Sequence, residues 1–435
     1  MKSSCFVVAA AFSASAAFGA VPEVSSVTMS QDSSRLVTIT YTLANAPAVV
    51  TLDVLTNGVS IGGANIGCLS GDVNKIVTAN GSHTITWRPD LSWPDHKISE
   101  SVCQAAVTAW AMDCPPDYAV IDLVEKTDCR WRFYPAEEFL PGGILGNTAY
   151  RTSKLVMRKI HAKNVSWTMG SIANNTAHAV TLADDYYIGV FELTQGQFVT
   201  CVTNLANPSV NHVKVGDTWR TCPLENISVA NFRIGGSGGN NVWPFYGREV
   251  GSSLKYRPLA MMRLCTGAML DLPTEAQWEF ACRAGTGSGY YNGTDSFPAT
   301  GSRNNSNPSN NTTATWPNDK LPTARVEEGG TARVGSFAPN PWGLYDLYGN
   351  VWETCLDQFV TGLAFDQNTL ETPFVEPEGS RTVTQMSQVY YVRRGGGWGA
   401  NTKGGSAYRL GNLNSSPNSG IGYRLVCPVP YGKKW

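Results

Sequence analysis

Residues 21–115 alternate apolar and polar positions with a period of two. Val27-Thr28-Met29, Leu36 to Tyr41 and Ala48 to Leu55 each direct apolar side chains to one face. Ile76 to Thr78, His83 to Trp87 and Ala105 to Trp110 continue the series, and Asn57-Gly58 and Asn80-Gly81 supply turn chemistry between runs. Short strands about 8–12 residues apart with such turns predict a small all-β sandwich of immunoglobulin-like type. No catalytic groups gather in this segment, whose plain reading is a spacer or adhesion module. Cys114-Pro115-Pro116 marks a boundary, because paired prolines end a strand and stiffen the connection. Residues 116–155 are expected as a linker, followed by a larger domain over 156–430.

Helical periodicity is scarce in that larger domain. The clearest segment is Thr274 to Ala284, opened by Pro273-Thr274 with Glu275 and Gln277 in its first turn and closed by Gly285. A second runs from Leu193 to Asn204, with Thr194 as cap and Phe198, Val199 and Val202 facing inward. The Asn/Ser/Gly-rich stretch from Thr300 to Thr313 reads as irregular surface. The expected class is α+β with much irregular structure.

The first twenty residues change the picture. Lys2 precedes an apolar run from Phe6 to Phe18 that ends in Gly19-Ala20, the pattern of a secretory signal peptide. A secreted, periplasmic or cell-surface location is therefore expected. No later run reaches the ~18 apolar residues of a membrane-spanning helix. Net charge is −1, from 33 basic and 34 acidic residues, with no basic stripe, so a nucleic-acid partner has no electrostatic support. Only 15% of residues are charged, against 43 Gly, 13 Trp and 17 Tyr, a balance that suits a loop-rich fold packed on aromatics. Oligomeric state is not legible.

Eleven cysteines are present, and Cys5 lies inside the apolar leader. The remaining ten, an even number in an exported chain, suggest disulfides without fixing connectivity. Cys201 and Cys222 are open to pairing across their loop or to remaining buried thiols. No CxxC pair occurs, and His83, His96, His161, His178 and His212 are scattered, which excludes a zinc finger or an HxxxH metal helix.

A series of sequence blocks then occurs in order: Trp167-Thr168-Met169-Gly170, Tyr186 to Phe198, Asp271 to Gly285 and Asn340 to Glu353. Arg394-Gly395-Gly396-Gly397-Trp398, Tyr408-Arg409-Leu410 and Ile421 to Val426 follow. Together they resemble the formylglycine-generating enzyme, or sulfatase-modifying factor, family. The resemblance implies a C-type-lectin-like fold and an oxidoreductase. It also implies a calcium ion held by Asp346, the Gly349 and Val351 carbonyls, and Glu353. Oxygen donors around a tight Gly349-Asn350 turn are suited to that hard cation. A second calcium site is implied in the 290–310 region, with no ligands aligned.

Members of the family bind copper(I) through two cysteine thiolates, the ligand type a soft cation prefers. Those positions fall on Ala400 and Gly405, and no cysteine lies between Cys355 and Cys427. Formylglycine chemistry by that route is not expected, and copper is not an expected cofactor. The family's disulfide implies a pairing of Cys282 with Cys427. Its substrate groove corresponds to Trp352, Trp398, Asn401, Tyr408, Arg409 and Arg424. Aromatics and arginines of this kind can hold peptides or glycans, but the tryptophans can equally fill the core and the arginines bridge to carboxylates such as Glu279. A related branch places three iron-binding histidines on a helical domain, which residues 21–115 do not contain.

Three readings follow. The first is a non-catalytic, calcium-supported binding or accessory protein for peptide or glycan ligands. The second is an enzyme of the same superfamily using other residues. The third is a lectin-like ligand-display protein.

Overall fold

The structure is a computed structural model and describes residues 20–99, 101–125, 130–171, 177–210, 216–233, 257–291, 331–336, 338–359, 374–375, 390–397, 405–413 and 415–429. The signal-peptide segment up to residue 19, the loop from Trp398 to Gly404, and most of the 290–310 region lie outside these residues.

The alternating segment forms eight strands: β1 (Glu23–Gln31), β2 (Val37–Ala44), β3 (Ala48–Thr56), β4 (Val59–Ser60), β5 (Leu69–Gly71), β6 (Lys75–Val77), β7 (Gly81–Trp87) and β8 (Cys103–Trp110). One sheet runs β1-β2-β7-β5; the other runs β4-β3-β6, with β8 also paired to β3. The inward faces of β2, β3 and β7 supply Val37, Ile39, Tyr41, Val50, Leu52, Val54, Ile85 and Trp87 to one apolar core. Asn57 and Gly58 both take positive φ, 51° and 79°, which closes the β3–β4 hairpin as the Asn-Gly signal predicts. A short helix, α1 (Pro89–Ser92), follows β7.

The linker expected over residues 116–155 is instead part of the larger domain. It contributes β9 (Tyr118–Asp122) and β10 (Trp131–Tyr134), which join β11 (Lys154–Ile160), β14 (Tyr186–Gly189) and β20 (Val426–Pro428) in a sheet ordered β10-β9-β11-β14-β20. The physical reason is the short apolar run Tyr118-Ala119-Val120-Ile121, every residue of which is buried. A segment that apolar cannot stay a solvated bridge. The proline pair still marks the chain's entry, with Lys159 donating to Pro115 O and Tyr187 Oη donating to Pro116 O at 2.5 Å.

The rest of the domain holds a smaller sheet of β12 (Val165–Met169), β13 (His178–Leu182) and β16 (Phe374–Val375). A further sheet has the order β18 (Arg409–Leu413), β17 (Tyr390–Arg394), β15 (Trp352–Gln358), β19 (Ile421–Gly422). Four helices are described here: α2 (Gln195–Cys201), α3 (Val229–Phe232), α4 (Pro258–Thr266) and α5 (Glu275–Arg283). The result is mostly sheet with few helices, as expected. Helices α2 and α5 start where the sequence places them. Thr194 and Thr274 each accept from the backbone N–H of the third helical residue, Gln197 or Gln277, whose side chain in turn accepts from the cap's own N–H. Helix α4 has no forecast in the sequence pattern and closes on Gly267 in the left-handed region. Among the described residues no helix is long and apolar enough to cross a membrane.

Candidate functional site

Trp278 of α5 and Glu353 of β15 form the centre of the domain. Trp278 is fully buried and donates from Nε1 to Glu353 Oε2 at 2.6 Å. The same oxygen accepts Arg424 Nε at 2.8 Å, and Oε1 accepts Arg424 Nη2 at 2.7 Å. Arg424 spends its remaining donors on carbonyls, with Nη1 reaching Gly189 O and Val190 O at 2.9 Å and Nη2 reaching Tyr345 O at 2.7 Å. Arg424 is therefore no cleft residue. It is completely buried, and its five N–H donors tie two chain segments, at Gly189-Val190 and at Tyr345, to one carboxylate.

Next to this pair lie two more buried carboxylates. Glu192 accepts Asn350 Nδ2 at 2.6 Å and Val351 N at 3.1 Å. Asp346 Oδ2 accepts Gly335 N at 2.5 Å, while Asp346 Oδ1 is buried with no partner. Burial, reinforced by Asp346 and Glu353, pushes the Glu192 carboxyl well above its ordinary range. Burial also pushes Asp346 up to about 7. Three carboxyl groups thus share one fully buried guanidinium, and burial without further positive charge drives Glu192 and Asp346 towards their protonated forms. Arg151, half-buried, adds a weaker favourable interaction with Asp346.

The implied calcium ligands Asp346, Gly349, Val351 and Glu353 belong to this cluster. Gly349 and Asn350 take φ of 101° and 55°, the tight bend the motif requires. Two observations favour a cation here: the unpartnered Asp346 Oδ1, and three buried carboxyl groups gathered around a single guanidinium. Among the described residues no three His, Cys, Asp or Glu side chains gather in metal-holding geometry. An ion would therefore depend on backbone carbonyls such as those of Gly349 and Val351 beside the Asp346 oxygen. That all-oxygen set fits a hard cation such as calcium. Glu353 is already committed to Arg424 and Trp278, which makes it the weakest member of the set.

A second network fastens α5 to the Gly-rich turn. Glu279 Oε1 accepts Arg283 Nε at 2.8 Å and Gly170 N at 2.9 Å, while Oε2 accepts Arg394 Nη2. Glu275 pairs with Arg409 Nε at 2.7 Å. Arg394 also lies over the Trp278 ring, 5.3 Å from its centroid. The carboxylate-bridging alternative for the arginines is thus the arrangement seen for Arg409, which also stacks on Phe359 at 5.4 Å. Gly395 sits at φ 84°, where a Cβ would lie 2.8 Å from Leu347 O, so the glycine turn allows the close approach expected of it.

Of the expected cleft, Trp352 and Tyr408 come together, their ring centroids 5.9 Å apart. Arg393, which the motif reading passes over, lays its guanidinium over Trp352 at 4.7 Å. It is half-buried, and its Nε has no partner. Its signal in the sequence is faint, one more arginine beside Arg394. Glu192 was legible only as a charge inside the apolar run Val190-Phe191-Glu192-Leu193. Trp398, Asn401 and Ala400 lie outside the described residues. Gly405 is described and buried, and a Cβ added there would meet Gly289 O at 3.5 Å and Tyr290 at 3.7 Å, ordinary contact distances.

The expected Cys282–Cys427 disulfide is absent. Both are buried, unbonded thiols with different surroundings: Cys282 Sγ lies 3.9 Å from Ser406 Oγ, and Cys427 Sγ lies 3.7 Å from Pro428 O. Cys427 stands on β20 opposite Tyr187, whereas Cys282 faces Tyr348 and Ser406 from α5. A shared strand face does not bring two cysteines together when the helix presents one of them elsewhere.

A formylglycine-generating enzyme of Thermomonospora curvata is 36% identical over 124 residues, covering 27% of this chain and 37% of that protein. An inactive C-alpha-formylglycine-generating enzyme 2 of Bos taurus is 30% identical over 165 residues, covering 36% of this chain and 43% of that one. In both cases the match spans less than half the relative's length. Among solved structures, Treponema denticola variable protein 1 aligns with 63% of this chain and 95% of its own, at 21% identity and a TM-score of 0.43. The sulfatase-modifying factor enzyme 1-like domain profile matches residues 141–429, a span that contains the Glu353–Arg424 centre and both arginine–glutamate networks. This chain therefore belongs to the sulfatase-modifying factor (formylglycine-generating enzyme) domain family.

Proposed function

We propose that this protein is an exported, non-catalytic member of its family, a calcium-supported binding or accessory protein for peptide or glycan ligands. One observation carries the reading: the positions of the two copper-binding thiolates are Ala400 and Gly405, and residues 356–426 contain no cysteine from which they could be replaced. Neither a methyl group nor a hydrogen coordinates copper(I) or exchanges with a substrate thiol. Relatives named as inactive formylglycine-generating enzymes are 30% identical over 165 residues, 36% of this chain, which makes a family member without that chemistry a known kind of protein.

The carboxylate cluster supports the calcium component. Asp346 Oδ1 and the Gly349 and Val351 carbonyls would hold the ion, which would neutralise buried charge and brace the turn between Asp346 and Glu353. Tyr408 and Arg393, both half-buried and packed around the buried Trp352, support the ligand component, since an aromatic edge beside a cation suits a sugar or peptide group. Export rests on the apolar leader and its small-residue end. The immunoglobulin-like assignment of residues 21–115 rests on strand number and turn chemistry.

The test is direct. The full-length protein is incubated with copper(I), oxygen and a Cys-x-Pro-x-Arg peptide, and the peptide is examined by mass spectrometry. Unchanged cysteine is expected; conversion to the aldehyde overturns the proposal.

A further inference from the structure

Helix α2 packs against α4, and Cys201 and Cys265 belong to the same apolar cluster there, with their thiols within reach of each other. Cys201 is the last residue of α2 and is 6% exposed; Cys265 is half-buried near the end of α4. Cys265 Sγ also reaches Leu123 O at 3.2 Å. A cation lies beside it, because Arg130 donates to the Cys265 carbonyl through Nη1 and to Glu125 O through Nε at 3.1 Å.

We propose that Cys201 and Cys265 form a disulfide that staples α2 to α4, made by exchange with an incoming small-molecule or protein disulfide. Two thiols facing each other from packed helices are placed to bond with little backbone movement. The order of events follows from their surroundings. The hydrogen bond from Cys201, then the nearby Arg130 charge, hold the Cys265 thiol down to about 7 against the opposing effect of burial. Cys201 is pushed up by that same hydrogen bond and by burial. Cys265 is therefore the attacking thiolate, and it is also the more accessible of the two. Its sulfur bonds to one sulfur of the incoming disulfide, whose S–S bond breaks and whose other sulfur departs as a thiolate and takes a proton. Cys201 then loses its proton to solvent and attacks the Cys265 sulfur, releasing the second sulfur of the reagent. The protein gives up two protons and two electrons, and the reagent becomes two thiols.

Two other described cysteines have contacts of their own. Cys222 Sγ lies 4.0 Å from Thr218 O, and Cys427 lies beside Pro428. The staple would hold α2 at its C-terminal end, while the capping box at Thr194 holds the other end, immediately after Glu192. It thus anchors the segment that presents Glu192 to Asn350 and Val351.

The experiment uses the full-length protein, purified reduced, incubated with oxidised glutathione, then blocked with an alkylating agent under denaturing conditions and digested without reductant. A crosslinked peptide pair containing Cys201 and Cys265, lighter by two hydrogens than the two thiol peptides, is the expected product. Melting temperature should rise by roughly 5 °C on oxidation, as for a disulfide closing a long loop. The Cys201→Ser and Cys265→Ser variants should each lose that rise and leave the remaining member of the pair alkylatable. Linkage of Cys265 to any other cysteine, or full alkylation of both in oxidised wild-type protein, overturns the proposal. The peptide map reads the bond itself, so it remains decisive if either serine variant fails to fold.

Discussion

Arg424 and Glu353 meet through two parallel hydrogen bonds, Nη2 to Oε1 at 2.7 Å and Nε to Oε2 at 2.8 Å, with both side chains removed from water. Burial opposes the charge on Arg424, yet the Glu353 carboxylate beside it holds the guanidinium above its ordinary range. Such a pair contributes little net stability relative to an apolar replacement, but breaking half of it leaves an uncompensated buried charge.

Arg424→Met should therefore lower unfolding free energy by about 3–5 kcal/mol, read from urea denaturation. Arg424→Lys should recover only part of the loss, because an ammonium cannot reproduce the fork geometry or reach three carbonyls. A loss below about 1 kcal/mol for Arg424→Met would mean the pair is not the keystone it looks like.

Calcium should raise the melting temperature of chelator-treated protein by several degrees, and Asp346→Ala should remove most of that rise. The shift follows from binding to the folded state alone, and grows with the ratio of free calcium to Kd. Equal calcium responses in wild type and Asp346→Ala would locate the ion elsewhere.

Helix α5 depends on its capping box. Thr274→Ala removes the acceptor for Gln277 N at 3.1 Å in a fully buried position, and should cost about 1–2 kcal/mol. Differential scanning calorimetry measures it, with Thr274→Ser as the conservative comparison expected to lie close to wild type.

Asp271 sets an acid limit. It is fully buried and accepts Arg233 Nε at 2.7 Å and Arg233 Nη2 at 3.0 Å, with Arg263 Nη2 at 3.2 Å. Burial alone would raise its pKa, but Arg233 and then Arg263 hold it below the ordinary 3.8. Folding thus favours the ionised form. The stabilisation is complete above the unfolded-state pKa and is lost as pH falls through the lower folded-state value. Chemical denaturation between pH 6 and pH 2, values chosen to bracket the ~4 of a free carboxyl, should show stability falling at the acid end. Asp271→Asn should be less stable at neutral pH and show a flatter acid slope; an unchanged slope would remove Asp271 from the account.

Ala400→Cys combined with Gly405→Cys should restore copper(I) binding, since Gly405 has room for a Cβ at ordinary contact distances. Elemental analysis after gel filtration compares the double variant with its parent. Copper retained by the double variant alone is the expected outcome, and no gain would place the two positions too far apart for a shared ion.

The sequence by itself determined the local elements and the family. Period-two alternation placed the N-terminal strands, Asn57-Gly58 placed a hairpin, and Thr274 with Gln277 placed a helix start, because each depends on neighbours a few residues away. The ordered motifs from Trp167 to Val426 carried the domain family, and Ala400 and Gly405 carried the departure from its chemistry. What each charged group faces was decided only by the tertiary structure. Arg424 and Glu353 are 71 residues apart in the chain, and Glu192 and Asn350 are 158 apart. An arginine in a motif reads the same whether it lines a groove or closes a core; burial and its carboxylate partner separate the two cases. The cysteines followed the same rule. The family resemblance implied a Cys282–Cys427 pair, but the helix and the strand give those two thiols different surroundings. The stretch from Tyr118 to Asp122 likewise had a boundary on one side and few neighbours in sequence to define it, and it became a strand through pairing with residues 154–158. Long-range partners supply most of the energy in these cases, and they are what a linear pattern does not carry.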